Sequence, residues 1–388
     1  MEPLDIQQRT VGPRSAASYP NASVARLLGL QSDNGAFVAS PDFAQYNYCW
    51  LRDASFVAYA LDRAGHHDAA GRYHSWVDRT IGTAGIGSQI DAAINDHLAG
   101  KPLVLGDMPP ARFSLAGEAV ADDDWPNFQI DGYGTWLWSL GEHLSLSRRE
   151  ELPPELRATV ERTGRYLSTF AFEPCFDVWE ENGGEIHTST LASVYGGLSA
   201  AGKLLGDAGL LERADEVRNH LRAEAEAAGR YKKSSSRDAL DASTLWLAAP
   251  FQVVLATDPY LLTTVEGIEA ELIDGGGVRR YLDDTYFGGG AWPVLTCSLG
   301  WYHARAGRRD EAERCLAWTQ ARIDDEGRLA EQFGGEQRDP DHYRKWVARW
   351  GAPAADLLWS HAMHVVLCEE LYSLPTARGA TPARDGTS

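Results

Sequence analysis

No stretch of this chain approaches the roughly 18 consecutive apolar residues that a membrane-spanning helix needs, and its start, MEPLDIQQRT, is polar and acidic without the apolar core of a secretion signal. The expected address is the cytoplasm. Cysteine pairs are also missing: Cys49, Cys175, Cys297, Cys315 and Cys368 are odd in number, scattered and never in a CxxC arrangement. That argues against a disulfide framework and a structural zinc site, and leaves buried thiols as the reading. Basic residues are in deficit, 36 against 55 acidic ones for a net charge of −19, which excludes bulk electrostatic binding to nucleic acid or an anionic membrane. A Walker loop, a strand-linked GxGxxG and a GxSxG elbow are all absent, so phosphoryl transfer, dinucleotide chemistry and serine-elbow hydrolysis lose their usual sequence support.

What is abundant is aromatic. The 13 Trp and 15 Tyr carry N–H and O–H groups that are costly to bury unpaired, and such residues are commonly kept where flat apolar faces dock, as on a sugar ring. At 44% hydrophobic and 23% charged the composition is that of a globular protein rather than a disordered one.

The apolar spacing is helical almost throughout. Leu156, Val160, Thr163, Leu167 and Phe170, then Leu210, Ala214, Val217 and Leu221, recur at three- and four-residue steps. Further helices are expected at 50–64, 67–81, 135–147, 188–204, 256–273, 293–306, 308–322 and 354–372, with glycine breaks at Gly275-Gly276-Gly277 and Gly288-Gly289-Gly290. About a dozen helices with one-turn loops and no long linker predict a single all-α domain, residues 1–373, in which alternate helices form inner and outer layers. A closed double ring satisfies this, with a concave pocket at one end. The aperiodic stretch 82–134 reads as a functional loop over that pocket. Lys232–Asp238 reads as a surface loop, and 374–388 as a disordered tail.

Three segments could carry chemistry. In Asp177-Val178-Trp179-Glu180-Glu181-Asn182-Gly183-Gly184, a carboxyl against a Trp would stay protonated near neutral pH, as a general acid must; the same residues also suit a solvated acidic helix start. In Leu329-Ala330-Glu331-Gln332-Phe333-Gly334-Gly335, a Glu sits among apolar neighbours, which equally describes a surface Glu in a glycine-bounded loop. Tyr46-Asn47-Tyr48-Cys49-Trp50-Leu51-Arg52-Asp53 sets rigid donors and acceptors beside aromatic faces, suited to one sugar ring or to a salt bridge over core aromatics. Arg280-Tyr281 ahead of Trp292, and Trp125-Pro126 ahead of Asp131-Gly132, are weaker signals of the same kind. His361 and His364 are three apart on a helix, but no third metal ligand is indicated, so packing is the expectation.

Taken in order, Tyr46-x-Tyr48-x-Trp50-x-Arg52-Asp53, Trp179-Glu180-Glu181, Asp241-Ala242-Ser243, Arg280-Tyr281, Gly289-Gly290-x-Trp292, Ala330-Glu331-Gln332 and Trp359-Ser360-His361-Ala362 resemble glycoside hydrolase family 15. That is the glucoamylase family, which also holds glucodextranases, trehalases and isomaltose-cleaving enzymes. The resemblance implies an (α/α)6 barrel and an inverting exo-attack that releases β-glucose. It implies Glu180 as general acid and Glu331 as general base. It further implies that Arg52 and Asp53 grip the terminal glucose, that Tyr46 lies beside the catalytic water, and that Trp50, Trp125, Glu181, Arg280, Trp292 and Trp359 wall the sugar pocket. No metal or organic cofactor is implied, and the partner expected is a small oligosaccharide. Relatives often carry an extra β-sandwich or starch-binding domain, whereas here few residues precede Tyr46 and the chain ends soon after the last helix. A short α-1,6 glucoside such as isomaltose is therefore the expected substrate, α-1,4 glucosides or trehalose the next. A sugar-binding or sugar-epimerising helical toroid is the reading from another class.

Overall fold

The computed structural model describes residues 19–82, 85–120, 125–149 and 151–373; the expected disordered tail lies outside them. Among the described residues there are fourteen α-helices: α1 Tyr19–Gly29, α2 Leu51–Arg63, α3 His67–Gly82, α4 Ile86–Leu98, α5 Asp131–Leu146, α6 Arg157–Phe170, α7 Thr188–Leu205, α8 Ala208–Ala228, α9 Pro259–Glu271, α10 Pro293–Arg305, α11 Arg309–Gln320, α12 Gly335–Arg338, α13 Pro340–Trp350 and α14 Leu358–Ser373. Two short antiparallel pairs accompany them, β1 Cys49–Trp50 with β2 Arg112–Phe113 and β3 Ile273–Asp274 with β4 Gly277–Val278. No described helix is long and apolar enough to cross a membrane.

Neighbour packing closes a ring. α2 packs on α5, α5 on α7, α7 on the 3-10 turn Ala242–Leu247, that turn on α10, α10 on α14, and α14 back on α2. Outside it, α1 lies on α14, α3 on α2 and α5, α6 on α5 and α7, α8 on α7, α9 on the 3-10 turn, and α11 on α10 and α14. The chain thus alternates between outer and inner layers, an (α/α)6 barrel whose sixth inner element is a short turn. The burial explains the layering. Residues 51–62 of α2 are all buried, as an inner helix requires, whereas α8 buries only Leu210, Ala214, Val217, Leu221 and Ala225, one stripe facing inward. The α5–α7 crossing is tight because two glycines meet there: a Cβ on Gly197 would come within 2.7 Å of the Gly134 Cα.

The structure corrects three expectations. The 82–134 stretch is not without helix, because Ile86, Ile90 and Ile94 bury one face of α4, and α5 begins at Asp131. Not all loops are short, since α4 and α5 are joined through 99–130. Finally α1, α12 and α13 lie outside the expected helices; α13 buries no residue, so its sequence carries no core stripe to find.

Candidate active site

The site forms where the inner elements begin. Arg52 and Asp53 lie in the first turn of α2, Trp292 just before α10, and Trp359 in the first turn of α14. The 3-10 turn Ala44–Tyr46 adds Tyr46, strand β1 adds Trp50, and connecting loops add Trp125, Glu180, Glu181, Arg280 and Glu331. All eleven side chains expected at the site line one cavity of about 640 Å3, a volume suited to a ligand of more than one ring. Cys49 is fully buried and is not among the lining residues.

Glu180 sits in a turn, not at a helix start, because α7 begins only at Thr188. Asp177 holds that turn: its Oδ1 accepts from the Trp179 and Glu181 backbone N–H groups at 2.9 Å each, and the Glu180 N–H donates to its carbonyl at 2.8 Å. This places Glu180 at φ 64°, a left-handed conformation that a non-glycine residue keeps only where its surroundings impose it. One carboxylate oxygen, Oε1, accepts from Trp50 Nε1 at 2.7 Å, Gln129 Nε2 at 3.0 Å and Trp125 Nε1 at 3.1 Å. A proton on this group therefore belongs on Oε2.

Glu331 is 1% exposed. Its Oε1 accepts from the Tyr46 hydroxyl at 2.8 Å, and since that proton is committed, Tyr286 OH donates to Tyr46 OH at 2.8 Å. Oε2 is buried with no hydrogen bond within ordinary geometry among the described residues, although the Gln332 side chain approaches the carboxyl. Burial pushes the carboxyl up to about 7 against the opposing bond from Tyr46. The two glutamates are held apart by an aromatic pair, Trp50 on Glu180 and Tyr46 on Glu331, whose rings meet edge-on at 5.6 Å. Each thus has its Oε1 fixed by its own donors.

Around the same cavity lie buried polar atoms that make no hydrogen bond among the described residues. Arg52 spends Nη1 on Asp131 at 3.0 Å and Gln129 at 3.1 Å, while its Nε and the Asp53 Oδ2 face each other at 3.4 Å without a hydrogen bond. Trp292 Nε1 and Trp359 Nε1 are likewise buried and unbonded. Buried polar atoms without partners are rare, and five such atoms around one cavity, counting Glu331 Oε2, suit a ligand rich in hydroxyls. Asp53 is pushed up to about 6 by burial, with Arg52 opposing.

On the side of Glu181, its Oε2 accepts from Tyr281 OH at 2.6 Å and its Oε1 faces Arg280 at 3.3 Å. Arg280 is anchored on Asp284 at 2.8 Å through Nε and lies over the rings of Trp179, Tyr286 and Trp292 at 5.1–5.6 Å.

Several residues of the site had no signal in the sequence reading. Tyr286 is one. Lys233 is another, and it corrects the surface-loop expectation for 232–238 in part: 236–238 are exposed, but Lys233 is 4% and Ser234 0% exposed. The Lys233 ammonium pairs with Asp241 at 2.9 Å and Asp177 at 3.6 Å, and Trp179 Nε1 donates to the same Asp241 at 2.9 Å. A basic, serine-rich run reads as solvated until two buried carboxylates are found beneath it. At the mouth, Arg112 stacks over Trp125 at 3.7 Å, and α13 contributes Trp346, Arg349 and Trp350 to the lining. The last two sit at the end of a helix opened by the Asp339 N-cap and Pro340, which is the signal that could have located α13. Of the 82–134 stretch, Arg112, Trp125 and Pro126 do reach the cavity. His361 and His364 are buried and bonded, His361 to Asp356 at 3.0 Å and both to Ser23, as packing groups are.

Comparison with known proteins gives a consistent picture. A family model described as "Glycosyl hydrolases family 15" matches residues 15–372. An isomaltose glucohydrolase of Kribbella flavida is 37% identical over 369 residues, covering 92% of this chain and 93% of that protein. A solved glycosidase structure in complex with glucose superposes with a TM-score of 0.87 at 35% identity, covering 94% of this chain and all of that one. A bacterial glucoamylase complexed with acarbose shares the fold, with a TM-score of 0.69 at 19% identity over 92% of this chain and 55% of that one.

Proposed function

This chain belongs to glycosyl hydrolases family 15 and is a glycosidase, and we propose that it is an inverting exo-α-glucosidase acting on short α-gluco-oligosaccharides, isomaltose first. The observation that carries this reading is the pairing of Glu180 and Glu331 in one cavity, Glu180 held on Oε1 by Trp50, Gln129 and Trp125, and Glu331 on Oε1 by Tyr46. Glu180, protonated on Oε2, gives its proton to the leaving oxygen. Glu331, ionised, takes a proton from a water that attacks the anomeric carbon from the other face. Such a displacement calls for carboxyl groups roughly 6.5–9.5 Å apart, with the water between. Arg52, Asp53, Trp292 and Trp359 wall the terminal glucose, and Arg280 with Glu181 reaches toward the next sugar. The isomaltose preference is supported by the likeness to the Kribbella enzyme. One catalytic domain through residue 373 and a cytoplasmic address complete the proposal.

The epimerase reading loses support, since proton abstraction of that kind depends on pocket histidines and none is among the described residues lining the cavity. Incubation with isomaltose, maltose, trehalose and panose, with the anomer of released glucose followed by NMR, is expected to show β-glucose, fastest from isomaltose. First-formed α-glucose would reject inversion, and no release from any of the four would return the site to binding or epimerisation.

The raised pKa of Glu331 sets a pH dependence. Its ionised form is the working one, so kcat/KM is expected to fall about tenfold per unit below about pH 7 and to level off above it on this limb. An acid limb near 4.5 would instead mean that the carboxyl is not desolvated.

The mouth predicts where the second sugar rests. Trp346 and Trp350 on α13 are half-buried, with Arg349 over the Trp350 ring at 4.6 Å. Losing one aromatic platform costs about 0.5–1.5 kcal/mol, so Trp350→Ala is expected to lower kcat/KM for isomaltose about three- to tenfold. Glucosyl fluoride, which has no second sugar, should be hydrolysed at an unchanged rate; equal loss on both substrates would place Trp350 away from the leaving sugar.

A further inference from the structure

At the far end of the barrel the last turns of α2 and α5 meet outer helix α3. Asp62 lies nine residues after Asp53 on α2, and His143 twelve after Asp131 on α5, so at about 1.5 Å per residue they stand roughly 14–18 Å along the helices from the glutamate site. Asp62, His74 and His143 are each at most 3% exposed, and one donor atom from each lies within 4.8 Å of the other two. Asp62 Oδ1 accepts from His67 Nδ1 at 2.8 Å, and both of its oxygens face His143 Nδ1 at 3.0 Å.

His74 is the exception in this cluster. Both its ring nitrogens are buried and neither has a hydrogen-bond partner among the described residues. Packing alone does not call for an imidazole there, since an apolar ring would fill the space without two orphaned polar atoms.

We propose that Asp62, His74 and His143 form a binding site for a divalent cation of the zinc class. Two imidazole nitrogens and one carboxylate suit zinc or cobalt(II), whereas calcium and magnesium prefer sites made of oxygen alone. The ion enters between His143 and Asp62, with the His143 proton moving from Nδ1 to Nε2, and ring rotation brings His74 onto it. His67 continues to orient the carboxylate from the solvent side. Its side chain is 38% exposed and lines a surface cavity of about 330 Å3 with His66, Asp68 and Arg72. The bound ion would tie α3 to the inner ring at the end opposite the glutamates, so its role is structural.

The test uses the full chain, free of any affinity tag, stripped with a chelator and dialysed against zinc chloride. Bound metal is counted by mass spectrometry, and melting midpoints are recorded with zinc and with EDTA. The expected result is one zinc per chain and a midpoint several degrees higher with zinc. His74→Gln should bind at least tenfold less, lose that shift and keep its rate of sugar hydrolysis. No uptake by the natural chain overturns the proposal. So does equal uptake by His74→Gln, which would put the ion on exposed His66 and half-buried His67. Should His74→Gln fail to fold, X-ray absorption on the zinc-loaded natural chain decides: two imidazoles with a carboxylate support the site, and any other shell overturns it.

Discussion

Glu331→Gln is expected to lower kcat on isomaltose by about 10²–10⁴-fold, the contribution of a positioned proton transfer, and to leave the fold intact. It should also make the protein more stable above pH 7. The sign follows from the raised pKa. In the unfolded chain this carboxyl ionises freely near its ordinary value, whereas in the folded chain burial holds it up to about 7. Stability is therefore lost as pH climbs between those two values, and it stays lost above the upper one. A neutral amide of the same shape avoids that cost, about 3 kcal/mol as an order of magnitude. Thermal melts at pH 5 and pH 8.5 check this, and an unchanged difference between variant and natural chain would mean that Glu331 is better solvated than its surroundings suggest. Glu180→Gln should be equally inactive on isomaltose. On glucosyl fluoride, whose leaving group needs little protonation, its activity should partly return, whereas that of Glu331→Gln should not. Rescue of Glu331→Gln alone would reverse the assignment of acid and base, and rescue of both would reject it.

The second large effect concerns a residue that touches no sugar. Lys233→Met is expected to destabilise the protein by about 3–5 kcal/mol, the cost of breaking a buried ion pair from one side. It leaves Asp177 and Asp241 as two buried carboxylates, each about 2% exposed, with their shared cation gone. Asp177 is the residue that clamps the Glu180 turn, and Asp241 holds Trp179. Activity should therefore fall together with stability. Lowering the pH should recover part of the stability in the variant, because protonating one carboxylate relieves the pair. The triple variant Lys233→Met, Asp177→Asn, Asp241→Asn should recover stability at neutral pH as well. Chemical denaturation of the three proteins checks both statements, and a loss under 1 kcal/mol in the single variant would show the ammonium to be solvated.

Local pattern made the barrel legible. The three- and four-residue apolar steps of α6 and α8 place their buried faces, and runs apolar on every side, such as 293–306, mark inner helices. α4 was missed because a short isoleucine stripe sits inside a long polar stretch. α13 was missed because it packs on the Tyr286–Gly288 turn and α12, so its pattern answers to the pocket and not to the core.

By itself the sequence determined the helix periods, the alternation of layers and the segments that carry carboxylates beside aromatics, since these are set by neighbours along the chain. Tertiary structure alone decided that Glu180 and Glu331, 151 positions apart, share one cavity. It also decided which of their oxygens are tied, and that Lys233 lies beneath the acid turn. Those are facts of desolvation and distance, and a side chain acquires them only when remote segments exclude water around it together.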